Sequence, residues 1–213
     1  MFGAAVAGVL LGLSLAAPPG PMNAIIAEES VLRGWSAGFR AGLGAMSADA
    51  CFFLVALAGV ATVLRDAPTV RTGMMALGGV LMCYFAVGAA KSARESFTAR
   101  EIGDSAGFRK TFALSFTNPY QILWWLTVGV ALLDPGTLAL TVPVGGEIAI
   151  ATGSPAIVVG FFGGIALWIA LFPLVLTSAG RRVDGFAPFV AGGSALILAG
   201  FGLLFLYRSV LLL

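Results

Sequence analysis

Apolar residues run almost unbroken over six stretches of the chain, at about 2–27, 38–64, 69–90, 111–133, 153–177 and 186–207. Each meets or approaches the roughly 20 apolar residues that a helix needs to cross a bilayer, or exceeds them. Polar positions are confined to the connections. The main one reads RESFTAREIGDSAGFRK; another, DPGTLALTVPVGGEIAIATGSP, is uncharged except for Asp134 and Glu147. The second reads as an external loop carrying a short helix or a re-entrant piece. The pattern predicts an all-α integral membrane protein with six transmembrane segments in a single membrane domain, 1–213.

Composition strengthens this reading. The chain is 59% hydrophobic and 10% charged, against about 25% charged in globular proteins. Too few charges remain to coat a water-facing surface, which excludes a soluble protein with a large core. Residues 1–32 contain no Lys or Arg, so the first run lacks the basic start of a signal peptide and reads as retained. Cys51 and Cys83 fall inside spans and read as small buried hydrophobes, not as a disulfide framework or metal site.

The placement of basic residues sets an orientation. Nine lie on one side (Arg33, Arg40, Lys91, Arg94, Arg100, Arg109, Lys110, Arg181, Arg182) and three on the other (Arg65, Arg71, Arg208). The positive-inside rule puts the nine in the cytoplasm and both termini outside. A first segment that only dipped into the membrane would move the N-terminus inside. The cytoplasmic loop 91–110 divides the chain into halves of three spans, 1–90 and 111–213. An odd number of spans per half gives the geometry of an inverted repeat.

Each half opens on a broken segment. In the first, Pro18, Pro19, Gly20 and Pro21 stand together; in the second, Asn118 and Pro119 follow Thr117. Gly20 and Asn118 are 98 residues apart, close to half the chain. Proline removes an amide donor and pushes the preceding residue out of the helical region. In hydrocarbon, unpaired carbonyls are tolerated only where protein or a cavity satisfies them. Pro119 frees the carbonyl of Ser115. The broken ends, with Asn23, Thr117, Asn118 and Gln121 at the same level, suit a polar ligand: free amides for a carboxylate, unwound carbonyls for an ammonium. A zwitterion such as an amino acid fits both.

Asp49 lies deep in the second span. A carboxylate there is costly and marks a functional site. It could bind a substrate ammonium, take up a proton, or pair structurally with Ser47 or a neighbouring hydroxyl. Glu28 and Glu29, at the end of the first segment, read as facing the interface, although one could line the cytoplasmic mouth. Glycines mark helix contacts: Gly34, Gly38, Gly42 and Gly44 near span two, Gly78, Gly79 and Gly88 in span three, Gly160, Gly163 and Gly164 in span five, and Gly192, Gly193, Gly200 and Gly202 near span six. Pro173 reads as a kink in the final turn of span five. Trp124, Trp125 and Trp168 read as lipid or core contacts.

Together these features resemble the LysE/RhtB superfamily of small amino acid exporters. The resemblance rests on APPGPMNAIIAEESVLRGWSAGFRAGLGAMSADACFF and FTNPYQILWW. The family's Pro-Gly-Pro element maps to Pro19, Gly20 and Pro21. Its glycine-rich stretch with an acidic residue maps to Gly34–Gly44 and Asp49, and its Asn-Pro pair to Asn118 and Pro119. Many relatives carry Asn directly after Pro-Gly-Pro and Lys after Asn-Pro; here those positions are Met22 and Tyr120. The resemblance implies a secondary transporter, not an enzyme, that exports an amino acid or derivative from a bacterial-type inner or plasma membrane. It implies coupling to the proton gradient.

The expected site is Pro19, Gly20, Pro21, Asn23, Asp49, Thr117, Asn118, Pro119 and Gln121, with no cofactor, no metal and no nucleic-acid partner. A homodimer is compatible with the glycine faces. The absence of a GxxxxGK[ST] loop argues against self-contained ATP drive. Export of a small ion or toxic metal is weaker, because histidine is absent and the acidic residues are dispersed. A membrane thiol oxidoreductase is weaker still, because neither cysteine lies in a break. A purely structural subunit would explain the glycines but not Asp49 or the paired breaks.

Overall fold

The computed structural model describes residues 2–58, 68–94, 106–133, 135–142, 146–182 and 185–211. Its helices are α1 (Phe2–Ala16), α2 (Pro21–Arg33), α3 (Trp35–Leu57), α4 (Pro68–Arg94), α5 (Ala106–Phe116), α6 (Pro119–Trp124), α7 (Val130–Leu133), α8 (Pro155–Gly180) and α9 (Phe186–Leu211). A five-residue π turn, Trp125–Gly129, joins α6 to α7. Outside 136–152, the regular structure among the described residues is helical. Among the described residues, three helices, α3, α8 and α9, are each long and apolar enough to cross a membrane, and the bent pair α1–α2 makes a fourth span if taken as one.

The proline cluster ends α1 as expected. The last backbone bond of α1 runs from Ala17 N to Leu13 O at 2.9 Å. Pro18 and Pro19 then supply no amide hydrogens, and Gly20 is fully extended. Pro21 restarts the chain at a first helical position, where a missing amide costs nothing. The axes of α1 and α2 differ by 83°. Gly34, at φ +88°, makes the next turn. Its N–H closes on Ser30 O at 2.9 Å, and its left-handed backbone is one that other residues adopt only with strain. It is a turn glycine, not the helix-contact glycine expected.

Two glycine pairs lock α1 to α8. A Cβ on Gly8 or Gly12 would overlap the carbonyl oxygens of Ile157 and Phe161; one on Gly160 or Gly164 would overlap those of Ala5 and Val9. The contacts advance together along both chains, so α1 and α8 run parallel. The same holds for α3 and α5: Gly44 lies on Phe108 and Thr111, Gly107 on Ala41, and Phe52 stacks on Phe116 at 5.3 Å. The order reverses between α4 and α9, where Gly79 meets Leu206 and Gly202 meets Cys83. Those helices are antiparallel.

Gly38 and Gly42 pack against α2 and α8 through Ser30, Pro173 and Ile169, as their spacing suggests. Gly163, Gly192, Gly193 and Gly200, by contrast, have nothing within 4 Å of an added Cβ. They face outward or into cavities and hold no helix pair together. The Gly8–Gly12 pair does that work.

Two apolar clusters form the interior. One gathers Leu11, Phe52, Trp125, Ile157 and Phe161; the other Ile25, Met82, Leu114, Leu198 and Phe205. Outward-facing residues stay apolar: Val159, Leu196, Leu203 and Val210 are 64–77% exposed, a surface suited to acyl chains and not to water.

Two sequence expectations change. The connection between α7 and α8 is neither a short helix nor a re-entrant piece but an antiparallel hairpin, β1 (Gly136–Val142) with β2 (Gly146–Thr152). Its apolar residues alternate, and register pairs Leu138 with Ile150 and Leu140 with Ile148. That period of two belongs to strands. Pro173 does not lie in a final turn: α8 runs on to Gly180, with Thr177 Oγ1 donating to Pro173 O at 2.8 Å.

The α1–α8 contact predicts a paired result. Gly164→Ala forces a methyl into the Val9 carbonyl and destabilises the protein by about 1–3 kcal/mol. Gly163→Ala meets open space and stays within about 0.5 kcal/mol of wild type. Denaturant unfolding in detergent micelles measures both, and equal effects would rule out this contact.

Candidate functional site

A cavity of about 400 Å³ lies between the two apolar clusters. Both breaks reach it. Pro18 to Asn23 line it from the first, Ser115, Asn118 and Gln121 from the second, and Asp49 from α3. Trp124, Trp168 and Phe205 supply aromatic wall. Of the residues expected from sequence, Pro19, Gly20, Pro21, Asn23, Asp49, Asn118 and Gln121 meet here. Thr117 does not: its Oγ1 donates to Ala113 O (2.8 Å) and Leu114 O (3.3 Å) of its own helix. Pro119 opens α6, and its side chain lies outside the described residues.

Asp49 is 4% exposed. Its Oδ1 accepts from Gln121 Nε2 at 2.7 Å and from Trp125 Nε1 at 2.8 Å. Ser47 is not its partner, since that hydroxyl donates to Leu43 O. Two N–H donors on one carboxylate oxygen are the kind of charge-assisted bonds that make a buried carboxylate tolerable. The π turn helps to place one of them. It begins at Trp125, whose indole lies over Gly129: a Cβ there would fall 3.1 Å or less from the ring. Single π turns recur at functional sites. Trp125 is the core contact its apolar run suggests, 3% exposed, and its indole N–H serves Asp49 as well. Its spacing of four from Gln121 was the signal that both could serve one acceptor.

Asn23 holds the first break together. Its Nδ2 donates to Ala16 O at 2.7 Å and to Pro18 O at 2.8 Å. Its Oδ1 accepts from Trp168 Nε1 at 3.1 Å. The helical ladder is interrupted at the break, where Gly20 is extended, and one side chain supplies a donor to both carbonyls. The second break closes differently. Asn118 N donates to Ser115 O at 3.2 Å, so the carbonyl expected to be free is taken by a tightened turn. The Ser115 hydroxyl is the unsatisfied group: fully buried, on the cavity wall, with no hydrogen-bond partner among the described residues.

The electrostatics are one-sided. Asp49 is the single charged residue on the cavity wall, among the described residues. The N-terminus of α2 opens there without a side-chain cap; its first backbone bond is Ala24 N to Gly20 O, leaving the preceding amides outside the helical ladder. The cavity therefore offers a carboxylate for a cation and amides for an anion.

Glu28 and Glu29 depart from expectation. Both are buried, at 5% and 2% exposure. Glu29 lies 3.4 Å from Arg33 and 3.4 Å from Lys110, tying α2 to α5. Lys110, which covers it, is 81 residues away, a contact that only the packing of α5 on α2 creates.

Apolar helices long enough to cross a bilayer, packed around a small cavity that Asp49 and both breaks line, define a helical membrane protein. Residues 13–209 match the family described as LysE type translocators, and the chain belongs to that family. A protein of Bacillus subtilis (strain 168), YcgF, named as a candidate amino acid efflux protein, is 35% identical over 59% of this chain and 61% of its own. An uncharacterized membrane protein of Pseudomonas aeruginosa is 30% identical over 55% of this chain and 58% of its own. A leucine efflux protein of Salmonella typhimurium is 29% identical over 54% and 57%. The chain thus spans about three-fifths of the length of these relatives. No solved structure matches it.

Asn23 gives a prediction about the break. Asn23→Ala leaves two carbonyls without their donor and lowers stability by about 2 kcal/mol. Asn23→Asp, nearly isosteric but without the NH₂ group, does not restore it. Unfolding in micelles decides the matter; a wild-type midpoint for the Asp variant would show that the amide bonds do not support the bend.

Proposed function

We propose that this protein is a secondary transporter that exports an amino acid, binding it in the central cavity. The observation that carries the reading is Asp49: a buried carboxylate, fixed by Gln121 and Trp125, on the wall of a cavity bounded by both breaks. The substrate ammonium lies against Asp49, with the Ser115 hydroxyl and Asn118 close by. The substrate carboxylate lies at the uncapped N-terminus of α2. The apolar remainder of the wall accepts a neutral side chain. A basic side chain would need a second carboxylate, which the described wall lacks. The name of the Salmonella relative, a leucine efflux protein, agrees with a neutral substrate.

The architecture we propose is six spans in two inverted halves, 1–90 and 111–213, joined by the cytoplasmic loop 91–110. The helix directions support it. Exchanging spans one with four, two with five and three with six carries the parallel α1–α8 pair onto the parallel α5–α3 pair. The antiparallel α4–α9 pair maps onto itself. Both termini then lie outside an inner or plasma membrane, and a homodimer is compatible with the outward glycine faces. Transport proceeds by alternating access about the breaks. Pro19, Gly20 and Pro21 shape the site, Asn23 holds it, and Thr117 and Pro119 shape the second bend. The proton gradient drives export, with Asp49 exchanging a proton for the substrate ammonium.

Counterflow in proteoliposomes with a panel of amino acids tests the reading. Wild type exchanges neutral amino acids, and Asp49→Asn, which keeps the shape and removes the charge, reduces exchange at least about a hundredfold, a loss of roughly 3 kcal/mol. Unchanged proton-dependent transport by Asp49→Asn would remove Asp49 from both substrate binding and coupling.

A further inference from the structure

The central cavity has an apolar neighbour. A second cavity of about 260 Å³ lies across the first break, between α2, α8 and α9. Pro19, Gly20, Asn23 and Trp168 line both. The two larger side chains among them are joined by the Trp168–Asn23 hydrogen bond at 3.1 Å. Asn23 has little freedom, because its amide is held on the Ala16 and Pro18 carbonyls. The Trp168 ring stacks at 4.9 Å and 13° on Phe172, which lines only the second cavity. The wall between the two spaces is therefore an indole pinned at one edge and backed by a phenyl ring.

The second cavity has little to offer a polar ligand. The Ser194 hydroxyl on its wall already donates to Ala24 O at 2.8 Å. The other α9 residues facing it are Phe189, Val190, Gly193 and Ile197. Such a space takes an apolar group and rejects a charged one.

We infer that Trp168 sets the upper size of the transported side chain, acting as a partition between the substrate cavity and this apolar space. The inference rests on the proposed binding of an amino acid in the central cavity. With the charged end of the substrate at Asp49 and α2, its side chain occupies the remaining apolar volume, and the indole bounds it. A small residue at 168 joins the two cavities and opens room for a bulky side chain without touching Asp49.

The test is counterflow in proteoliposomes with alanine, leucine and tryptophan. Wild type favours the smaller solutes. Trp168→Ala, or Trp168→Leu if the alanine variant does not fold, raises the tryptophan-to-alanine rate ratio by about tenfold or more. Trp168→Phe keeps a ring in place, loses the bond to Asn23 and keeps the wild-type ratio. Adding Gly193→Phe to Trp168→Ala refills the second cavity, where an added Cβ meets nothing within 4 Å, and restores that ratio. A Trp168→Ala protein that transports with an unchanged ratio overturns the inference, as does a widened range that survives Gly193→Phe. Wild type that moves no amino acid overturns the transport reading and this inference with it.

Discussion

A peptide group in hydrocarbon must find a partner, because no water is there to supply one. The structure around the first break follows from that constraint. Pro18, Pro19 and Pro21 remove three amide donors within four residues and leave the end of α1 with orphaned carbonyls. Asn23 meets two carbonyls at the break, those of Ala16 and Pro18, with a single amide, and its oxygen accepts from Trp168 on α8. One side chain thus closes the end of α1, anchors the start of α2 and fixes the cavity wall. Without it, an 83° bend at this place would expose carbonyls to an apolar medium.

The same economy governs the charged site. Asp49 is tolerated because two donors from the other half of the chain reach it. Gln121 comes from the short helix after the second break, and Trp125 from the π turn that follows. The breaks and the carboxylate are therefore one structure. The bends bring helix ends to the cavity, and the carboxylate draws the second bent segment onto α3. Glycine contacts set the spacing within which this works. With backbone against backbone at Gly8, Gly12, Gly160 and Gly164, α1 stands close enough to α8 for Asn23 and Trp168 to meet. Glu29, between Arg33 and Lys110, ties the two halves again at the other end of α2.

Much of this was legible in the sequence, and for identifiable reasons. Proline and glycine act locally, so the breaks at Pro18–Pro21 and Asn118–Pro119 could be placed within a residue. A carboxylate amid twenty apolar residues announces itself, as Asp49 did. The hairpin 136–152 was misread because its alternation was short and its composition resembled a membrane segment. Gly8 and Gly12 escaped notice because four-residue glycine spacing is common in a chain with 29 glycines, and only a partner helix gives it meaning.

By itself the sequence determined that this is a membrane protein, where its helices break and that Asp49 is buried, because hydropathy and proline geometry depend on neighbours along the chain; it did not reveal that Glu28 and Glu29 are buried too. The tertiary structure alone decided what each polar group does there. Asn23 turned out to hold the bend, Thr117 to bond within its own helix, Ser115 to present a buried hydroxyl with no partner among the described residues, and Trp125 to hold Asp49. Those roles depend on which atoms of distant segments come within about 3 Å, and helix packing, which residue order leaves open, sets those distances.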